Sequence, residues 1–449
     1  MASATTTRPA TTPVPIRYLV VAMLFAVSAF SYGDRVVLSI AGVAFKQDLH
    51  LSLRQLGWLL SGFSWTYALA QLPAGWLLDR FGTKRVYGFS ILAWSLLAAL
   101  AGFAGYLAGA VAFAVIFFLR LLSGAAQSPV FPGNGRIVAA WFPSTERGMA
   151  SAIFNSSQYF AIVLFGPLMG WVAHTRGWRA CFWLLGLMGV ALAFAWWKTI
   201  HDVKTHPHIS DPEISHIELG GGLCTIGSAS RETGQPITWS AVGMLVRNRM
   251  LFGIYIGQFC INTLTWFFLT WFPIYLSQAR HMSIAKVGLA AAVPAFCGVF
   301  GGILGGFVSD KLLRAGRSLT FARKAPIIAG MALAMSLMLC NFVSTQWAVL
   351  VLMSIAFFGK GFGALGWTVI SDTSPRGMVG LNGGVFNLFG NIAGITTPIV
   401  IPILVQRTGS YNLALVFVAL SALMAIVSYA FIAGPIRRLT VEELRPATT

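Results

Sequence analysis

The feature that most constrains this sequence is its series of long apolar segments, each long enough to cross a lipid bilayer. Hydrophobic residues make up 57% of the 449-residue chain and charged residues only 10%, whereas ordinary soluble domains carry about 25% charged residues. A membrane-spanning helix needs about 20 mostly apolar residues. We therefore predict an all-α polytopic membrane protein whose twelve transmembrane helices cover 17–45, 52–78, 84–106, 110–141, 145–174, 178–198, 247–278, 283–310, 323–342, 346–373, 377–406 and 411–434.

A single long polar stretch divides these helices into two groups of six. The same G-x-x-x-D-[RK] pattern ends the second and the eighth segment, at Gly75–Arg80 and Gly306–Lys311, which indicates an internal repeat. We expect a disordered cytoplasmic N-terminus over 1–16 and a six-helix bundle over 17–198. A cytoplasmic central loop over 199–246, a second six-helix bundle over 247–434 and a cytoplasmic tail over 435–449 would follow.

The distribution of charge indicates how the chain is oriented. The net charge of +18 does not predict nucleic-acid binding, because the cations lie mostly in loops between apolar segments. Most of the 31 lysines and arginines fall on one side of the predicted spans, and the positive-inside rule places that side, with both termini, in the cytoplasm. The five cysteines are scattered and indicate neither a disulfide framework nor a metal site.

Two adjacent charged residues, Asp34 and Arg35, lie in the middle of the first apolar segment. Insertion scales assign a cost of roughly 2.5–3.5 kcal/mol to one charged residue at the centre of a membrane helix. The pair is therefore expected to face protein, a cavity or a ligand. One interpretation is a buried structural ion pair. The other is a site that handles a proton and an anion together.

Two more predicted helices carry basic residues at depth. Arg120 lies in the fourth helix, and Gln127 follows it two turns later on the same face. Lys360 lies midway along the tenth helix between two glycines. Arginine can hold a carboxylate with two hydrogen bonds. Two cations in opposite halves, Arg35 and Lys360, would suit a substrate with a carboxylate at each end, although Lys360 could instead pair with a carbonyl group.

Neutral polar residues at helical spacing are candidates for binding hydroxyl groups. Each of the pairs Asn155/Gln158, Gln258/Asn262 and Asn387/Asn391 shares one helix face. Tyr67 is a further candidate, and Trp367 could supply an apolar wall. Packing between helices explains any one of these residues equally well.

Several motifs resemble a known family. The stretch Gly75–Arg85 resembles the cytoplasmic signature loop of the major facilitator superfamily. Further motifs resemble the anion:cation symporter family within this superfamily, and especially its D-glucarate/galactarate and D-galactonate proton symporters. These motifs are Tyr32–Arg35, Phe131–Asn134, Ala140–Pro143, Phe154–Phe160, Thr265–Pro273, Phe357–Trp367 and Gly384–Asn387.

The resemblance implies the major facilitator fold, with two pseudo-symmetric bundles, and roles for several residues. Asp34 would be the proton-coupling acid, working with Arg120, and Arg35 would contact the substrate. The positions of Tyr67, Gln158, Gln258 and Asn387 match family substrate contacts, and Asn262, Lys360 and Trp367 complete the predicted binding set. The matching family position of Gln127 is expected to hold an acid.

The amide at Gln127 leaves three readings of the coupling open. Glutamine cannot titrate, so one family proton site is missing from this chain. Fewer protons could be coupled, transport could be uncoupled, or the residue could be an acid-to-amide change, native or engineered, that biases the conformation.

Charged residues at cytoplasmic helix ends are expected to serve conformation rather than substrate binding. Asp79, Arg80 and Asp310 lie at the ends of the two repeated motifs, beside basic loops. Such acids could hold the two halves together in the outward-open state.

The function predicted from the sequence is proton-coupled uptake of sugar-acid anions across the bacterial inner membrane by alternating access. The expected partners are a small anionic substrate and the lipid bilayer, without nucleic acid or a cofactor beyond the coupling proton, and the expected state is a monomer. An uncoupled facilitator, or a symporter of tartrate or an aromatic carboxylate, is the alternative. A membrane-embedded receptor or enzyme is the alternative from another class, and an enzymatic activity is not expected because no nucleophile–base set is visible.

Overall fold

The computed structural model describes residues 15–107, 109–143, 146–226, 239–375, 378–440 and 442–444. The disorder predicted for 1–16 therefore falls almost wholly outside the described residues. The α-helices are α1 Ile16–Asp48, α2 Leu53–Phe81, α3 Thr83–Ala104, α4 Gly109–Gln127, α5 Val130–Trp141, α6 Arg147–Arg176, α7 Trp178–Thr199, α8 Asp211–Leu219, α9 Trp239–Arg247, α10 Arg249–Trp266, α11 Phe272–Gln278, α12 Ile284–Arg314, α13 Leu319–Ala334, α14 Gln346–Gly361, α15 Leu365–Thr373, α16 Val379–Thr408 and α17 Asn412–Val427.

The predicted spans appear as long helices. Within the described residues, 11 helical stretches are long and apolar enough to cross a membrane. The remaining predicted span is α2, a 29-residue helix that carries Arg54 in its first turn and Arg80 in its last. The prediction of an all-α protein with twelve membrane helices is confirmed.

In the described part of the chain, two spans are interrupted next to a proline. The fourth span divides into α4 and α5 at Pro129, which is the N-cap of α5. The seventh contains a π-helical turn, Phe267–Trp271, between α10 and α11. Pro273 follows this turn, and a proline ring clashes with the carbonyl group four residues earlier. A wider turn before the proline relieves that clash, as π-bulges in helices commonly do.

The chain forms two compact units. The first comprises Met1–Asp34, Trp65–Ala161 and Arg176–Glu232, and the second comprises Arg35–Ser64, Ile162–Thr175 and Thr233–Thr449. The division in α1 falls between Asp34 and Arg35. The bundle boundaries predicted from the order of the helices stay a prediction.

In the first unit, part of the central loop forms hydrogen bonds with the start of α1. The Glu213 carboxylate, from the short helix α8, accepts hydrogen bonds from the backbone N–H groups of Ile16 and Arg17, both at 3.0 Å. Arg17 also pairs with Glu146, with its Nε atom 3.2 Å from Oε2. The first N–H groups of a helix have no partner within the helix. Glu213 therefore caps α1 from a distant part of the sequence and places negative charge at the positive end of its dipole.

A histidine cluster packs beside this cap. The His206 ring lies 5.5 Å from the Trp141 ring and 5.4 Å from the His201 ring, measured between centroids. Burial, together with the neighbouring His201, lowers the pKa of His206 from 6.5 to about 4. His206 is therefore neutral at physiological pH and acts as a packed aromatic residue.

In the second unit, glycines allow α14 to approach its neighbours closely. A Cβ atom at Gly361 would lie 2.5 Å from the Gly298 carbonyl oxygen and 2.5 Å from the Gly302 nitrogen, both in α12. A Cβ atom at Gly359 would meet the Gly330 carbonyl oxygen in α13. Small residues let membrane helices pack backbone to backbone. The two glycines thus hold the segment that carries Lys360 between α12 and α13.

We predict that Gly361→Ala destabilises the protein. The added methyl group would collide with backbone atoms, which cannot move aside as a flexible side chain can, and overpacking costs about 1–3 kcal/mol. Thermal unfolding of the purified protein in detergent measures the effect.

The matched control is Gly306→Ala, in α12, where an added Cβ atom meets nothing within 4 Å. Alanine is favoured over glycine in a helix by about 1 kcal/mol, so this variant should be as stable as the parent or more stable. Equal loss of stability in both variants would show that the α12–α14 contact is not the cause.

Candidate functional site

The charged residue Asp34 is buried in the first unit and paired with Arg120. The Arg120 Nη1 atom donates to the Asp34 Oδ2 atom at 2.7 Å, and the two side chains are 5% and 3% exposed. A buried charge is stable only when it is paired and hydrogen-bonded. The pair therefore joins α1 to α4 and balances the charge of Asp34.

A hydrogen-bonded chain extends from this ion pair. The Gln127 Nε2 atom donates to the same Asp34 oxygen at 3.1 Å, and the Ser31 hydroxyl donates to Gln127 Oε1 at 2.7 Å. Ser31 and Asp34 lie one turn apart on α1, as do neighbours at i and i+3 on one helix face. All four side chains are buried. The structure thus brings the predicted coupling residues Asp34, Arg120 and Gln127 together.

The other predicted site residues of the first unit are Tyr67 and Gln158. Tyr67 is buried in α2. Gln158 is half-buried in α6, and its Nε2 atom donates to the Asn155 carbonyl oxygen at 3.2 Å, within the same helix. Its carbonyl oxygen is therefore the part of the amide best suited to a ligand hydroxyl.

Arg35 belongs to the second unit and lies among aromatic rings. Its guanidinium carbon is 4.4 Å from the centroid of Phe63 and 5.6 Å from that of Trp266. The Trp266 indole packs against Gly394 of α16, where a side chain would collide with it. Cation–π contacts of this kind stabilise a desolvated guanidinium. The aromatic residues therefore hold the Arg35 side chain in a fixed position.

Lys360 is buried near the end of α14 in the same unit. Its Nζ atom lies 5.2 Å from the centroid of the Phe357 ring, and that ring stacks on Phe268 at 4.2 Å. The lysine side chain is 5% exposed in total. A lysine at this depth lies too far inside the protein to place its ammonium group in water.

The end of α10 connects the surroundings of the two cations. Trp266, the last residue of α10, contacts Arg35. Phe268 lies two residues later, in the π-helical turn, and stacks on Phe357 beside Lys360. Turns of this type often occur at functional sites. The irregular backbone thus gives α10 an aromatic surface toward both basic residues.

The predicted neutral contacts of the second unit gather around α10 and α16. A Cβ atom at Gly390 would lie 2.6 Å from Asn262 Nδ2 and 3.4 Å from Gln258 Nε2. Both amides therefore project toward α16, at the glycine one turn after Asn387. Trp367, 44% exposed, packs edge-on against Phe386 at 5.0 Å. The helices that carry these predicted contacts thus pack together, with α16 at their centre.

At the end of the second repeated motif, Asp310 lies beside an ion pair that Arg323 makes with another acid. Arg323 of α13 donates to Asp372 at 2.8 Å, whereas its distance to Asp310 is 3.5 Å and the Asp310 side chain is 61% exposed. Arg80 is exposed and lies over Trp76 and Phe81. The Asp79 side chain lies outside the described part of the chain. The latch roles of Asp79, Arg80 and Asp310 stay predictions.

Sequence reasoning missed four residues. Ser31 directly precedes the motif Tyr32–Arg35 but was not a candidate, although its spacing of three residues from Asp34 gave a signal. The aromatic neighbours Phe63 and Phe357 gave none, because apolar rings are common in every membrane helix. Asp372 was visible only as an acid near a helix end, and its partner Arg323 lies in another helix.

The sequence matches known proteins over almost its whole length. A sequence model described as "Major Facilitator Superfamily" matches residues 24–398. The "Probable galactarate/D-glucarate transporter GudP" of Bacillus subtilis (strain 168) is 52% identical over 435 residues, covering 97% of this chain and 96% of the relative. The "Probable galactarate/D-glucarate transporter GarP" of Escherichia coli (strain K12) is 50% identical, covering 96% of this chain and 97% of the relative.

A more distant relative and a solved structure agree with these matches. The "D-galactonate transporter" of Escherichia coli O6:H1 is 36% identical, covering 94% of this chain and 97% of the relative. A crystal structure of a bacterial homologue of the human lysosomal transporter Spinster, inward-facing and occupied, superimposes with a TM-score of 0.73 at 16% identity, covering 98% of this chain and 100% of that one. This last likeness concerns the fold alone. The sequence matches show that the chain belongs to the Major Facilitator Superfamily and is a polytopic membrane transporter.

Proposed function

We propose that this chain imports galactarate and D-glucarate, together with protons, across the bacterial inner membrane. The names of relatives at 50% and 52% identity support this substrate class. The observation that carries the proposal is the buried Asp34–Arg120 pair with its glutamine partner, because it offers a protonatable group within the membrane. Both termini lie in the cytoplasm, as the loop charges favour, and the transporter works as a monomer.

The anion site of this proposal uses the two buried cations of the second unit. Galactarate and D-glucarate carry a carboxylate at each end of a six-carbon chain. Arg35 would bind one carboxylate through its planar guanidinium group, and Lys360 would bind the other as a point charge. Gln258 and Asn262 would bind hydroxyl groups between them. Gln258 and Asn262 project toward α16, and the aromatic end of α10 lies near both cations. Both observations support this arrangement.

The proton step uses the ion pair of the first unit. Protonation of the Asp34 carboxylate removes its negative charge and so makes the electrostatic potential around Arg120 more positive. A more positive potential favours an arriving anion, so anion binding is favoured when Asp34 is protonated. This linkage would make the binding of proton and anion mutually dependent.

Gln127 favours a second candidate function, uncoupled facilitated transport. Its amide donates to Asp34 as a neutral partner and cannot itself carry a proton. If the coupling needs a second acid at this position, the chain would conduct the anion without a proton.

We predict that proteoliposomes containing the protein accumulate labelled D-glucarate when an inward proton gradient is present. Accumulation above equilibrium requires that the gradient be coupled to the anion. Asp34→Asn should abolish this accumulation, because asparagine resembles the carboxylate in shape but takes up no proton.

Exchange of labelled for unlabelled glucarate without a gradient separates the possible outcomes. Uptake that is indifferent to the gradient would leave the anion site and support the facilitator. Absence of both uptake and exchange for every sugar acid would reject the transport of this substrate class. Binding without flux would indicate a receptor.

We predict that Lys360→Asn impairs dicarboxylates far more than monocarboxylates. Removing one charge-assisted hydrogen bond of about 1.5–3 kcal/mol should raise the KM for D-glucarate by about ten- to a hundredfold. The KM for D-galactonate, which has one carboxylate for Arg35, should change several-fold at most. Uptake assays with both labelled compounds measure the ratio.

Lys324→Asn is the matched control for this substitution. Lys324 is a buried lysine of the same unit, 8% exposed, in the second turn of α13, and it has no proposed substrate role. It should leave the ratio of the two KM values unchanged. Equal losses for both compounds in Lys360→Asn would show that this lysine has only a structural role.

A further inference from the structure

The hydrogen bonds around Gln127 have a defined direction. The Ser31 hydroxyl donates to Gln127 Oε1 at 2.7 Å, and Gln127 Nε2 donates to Asp34 Oδ2 at 3.1 Å. An amide has a donor end and an acceptor end. Ser31 uses the acceptor end, and the donor end points to the carboxylate. The ionised carboxylate can only accept, so it faces the donor end of the amide, and Ser31 completes this arrangement by donating to the other end.

This direction suits only one protonation state of Asp34. A carboxylate accepts hydrogen bonds from both Gln127 and Arg120, as the structure shows. A protonated carboxyl group also has an O–H that must be donated, and an unmade hydrogen bond at a buried site is unfavourable. Gln127 can accept this O–H only if its amide turns around.

A serine hydroxyl permits that reversal. When Asp34 binds a proton from water, its new O–H can donate to Gln127 Oε1 once the amide has rotated by half a turn. Gln127 Nε2 then donates to the Ser31 oxygen, which accepts as readily as it donates. The Ser31 hydrogen turns to a carbonyl group of its own helix, as serines in helices commonly do. Every donor keeps an acceptor in both arrangements.

We propose that Ser31 is a positioning residue for the proton step: its hydroxyl supports the Gln127 amide while that amide donates to the Asp34 carboxylate, and it lets the amide reverse when Asp34 is protonated. This inference rests on the proposed proton coupling and deepens it. It gives the non-titrating Gln127 a role, because a reversible amide can adapt to the proton without carrying one.

The neighbouring serine of α1 shows that the assignment is specific to Ser31. Ser28, one turn earlier and equally buried, accepts a hydrogen bond from Asn134 at 2.9 Å, and Asn134 in turn accepts one from Tyr87 at 2.8 Å. That chain contains no group with the charge of Asp34. Ser28→Ala is therefore a matched control, since it removes a buried hydroxyl from the same helix outside the proton network.

The first test is the pH profile of D-glucarate uptake into proteoliposomes. In the ionised state the Ser31 bond belongs to a charge-assisted chain that ends on the carboxylate, whereas in the protonated state it belongs to a neutral chain, so Ser31→Ala weakens the ionised state more. The pH at half-maximal uptake should therefore move upward by about 0.5–1 unit, at most the equivalent of one lost hydrogen bond. Ser31→Thr, which keeps the hydroxyl, and Ser28→Ala should keep the parent midpoint.

A second test does not depend on transport. The difference in melting temperature between Ser31→Ala and the parent, in detergent, should vary with pH, because a group that changes the protonation equilibrium of Asp34 must do so by linkage. A merely structural loss would give the same difference at every pH. In a Gln127→Met background the pH-dependent part should vanish, since the amide that connects Ser31 to Asp34 is gone.

The outcomes separate this inference from the proposed function. Superimposed pH profiles of Ser31→Ala and the parent, with a constant difference in melting temperature, would overturn the role of Ser31 and leave the transport proposal standing. A flat profile of the parent would overturn proton coupling. A pH-dependent melting difference that persists in the Gln127→Met background would overturn the amide connection.

Discussion

The structure of the first unit depends on one constraint: an ionised carboxylate in the interior of a membrane protein must be paired. Asp34 meets it through Arg120, at 2.7 Å, and the contact fixes α1 against α4. Since a buried pair of this kind is strongly destabilised when one partner is removed, the pair restricts what both helices can do. Gln127 and Ser31 are arranged around it because the remaining lone pairs of the carboxylate also need donors.

Much of the fold follows from the sequence by hydropathy and charge. The long apolar runs predicted the spans because a bilayer requires continuous helices whose backbone groups bond internally. Charged residues inside those runs, Asp34, Arg120 and Lys360, stood out for the same reason, and the structure buries all three. Their cost in an apolar environment is what made them visible. The approach of Arg120 and Gln127 to Asp34 agreed with their spacing on one helix.

Other features depend on contacts between distant residues, which no local pattern encodes. In the sequence, Gly361 resembles any other glycine of a membrane helix, because its close contact with α12 involves residues far away in the chain. The π-helical turn before Pro273 is one of several ways to avoid the same clash. The central loop, expected only as a polar connection, contains the helix α8 and the carboxylate of Glu213, whose target is the backbone of Ile16 and Arg17.

The cap that Glu213 provides has a consequence for recombining this transporter with its relatives. A conventional hybrid would exchange the two halves at the start of the polar loop, after Thr199. That junction would separate Glu213 from the helix it caps. It would also remove two backbone hydrogen bonds of the loop: the Thr83 N–H donates to the Ile226 carbonyl oxygen, and the Cys224 N–H donates to the Ala140 carbonyl oxygen. Residues as far as Ile226 are therefore an inseparable part of the N-terminal module, and a functional chimaera has its crossover beyond them.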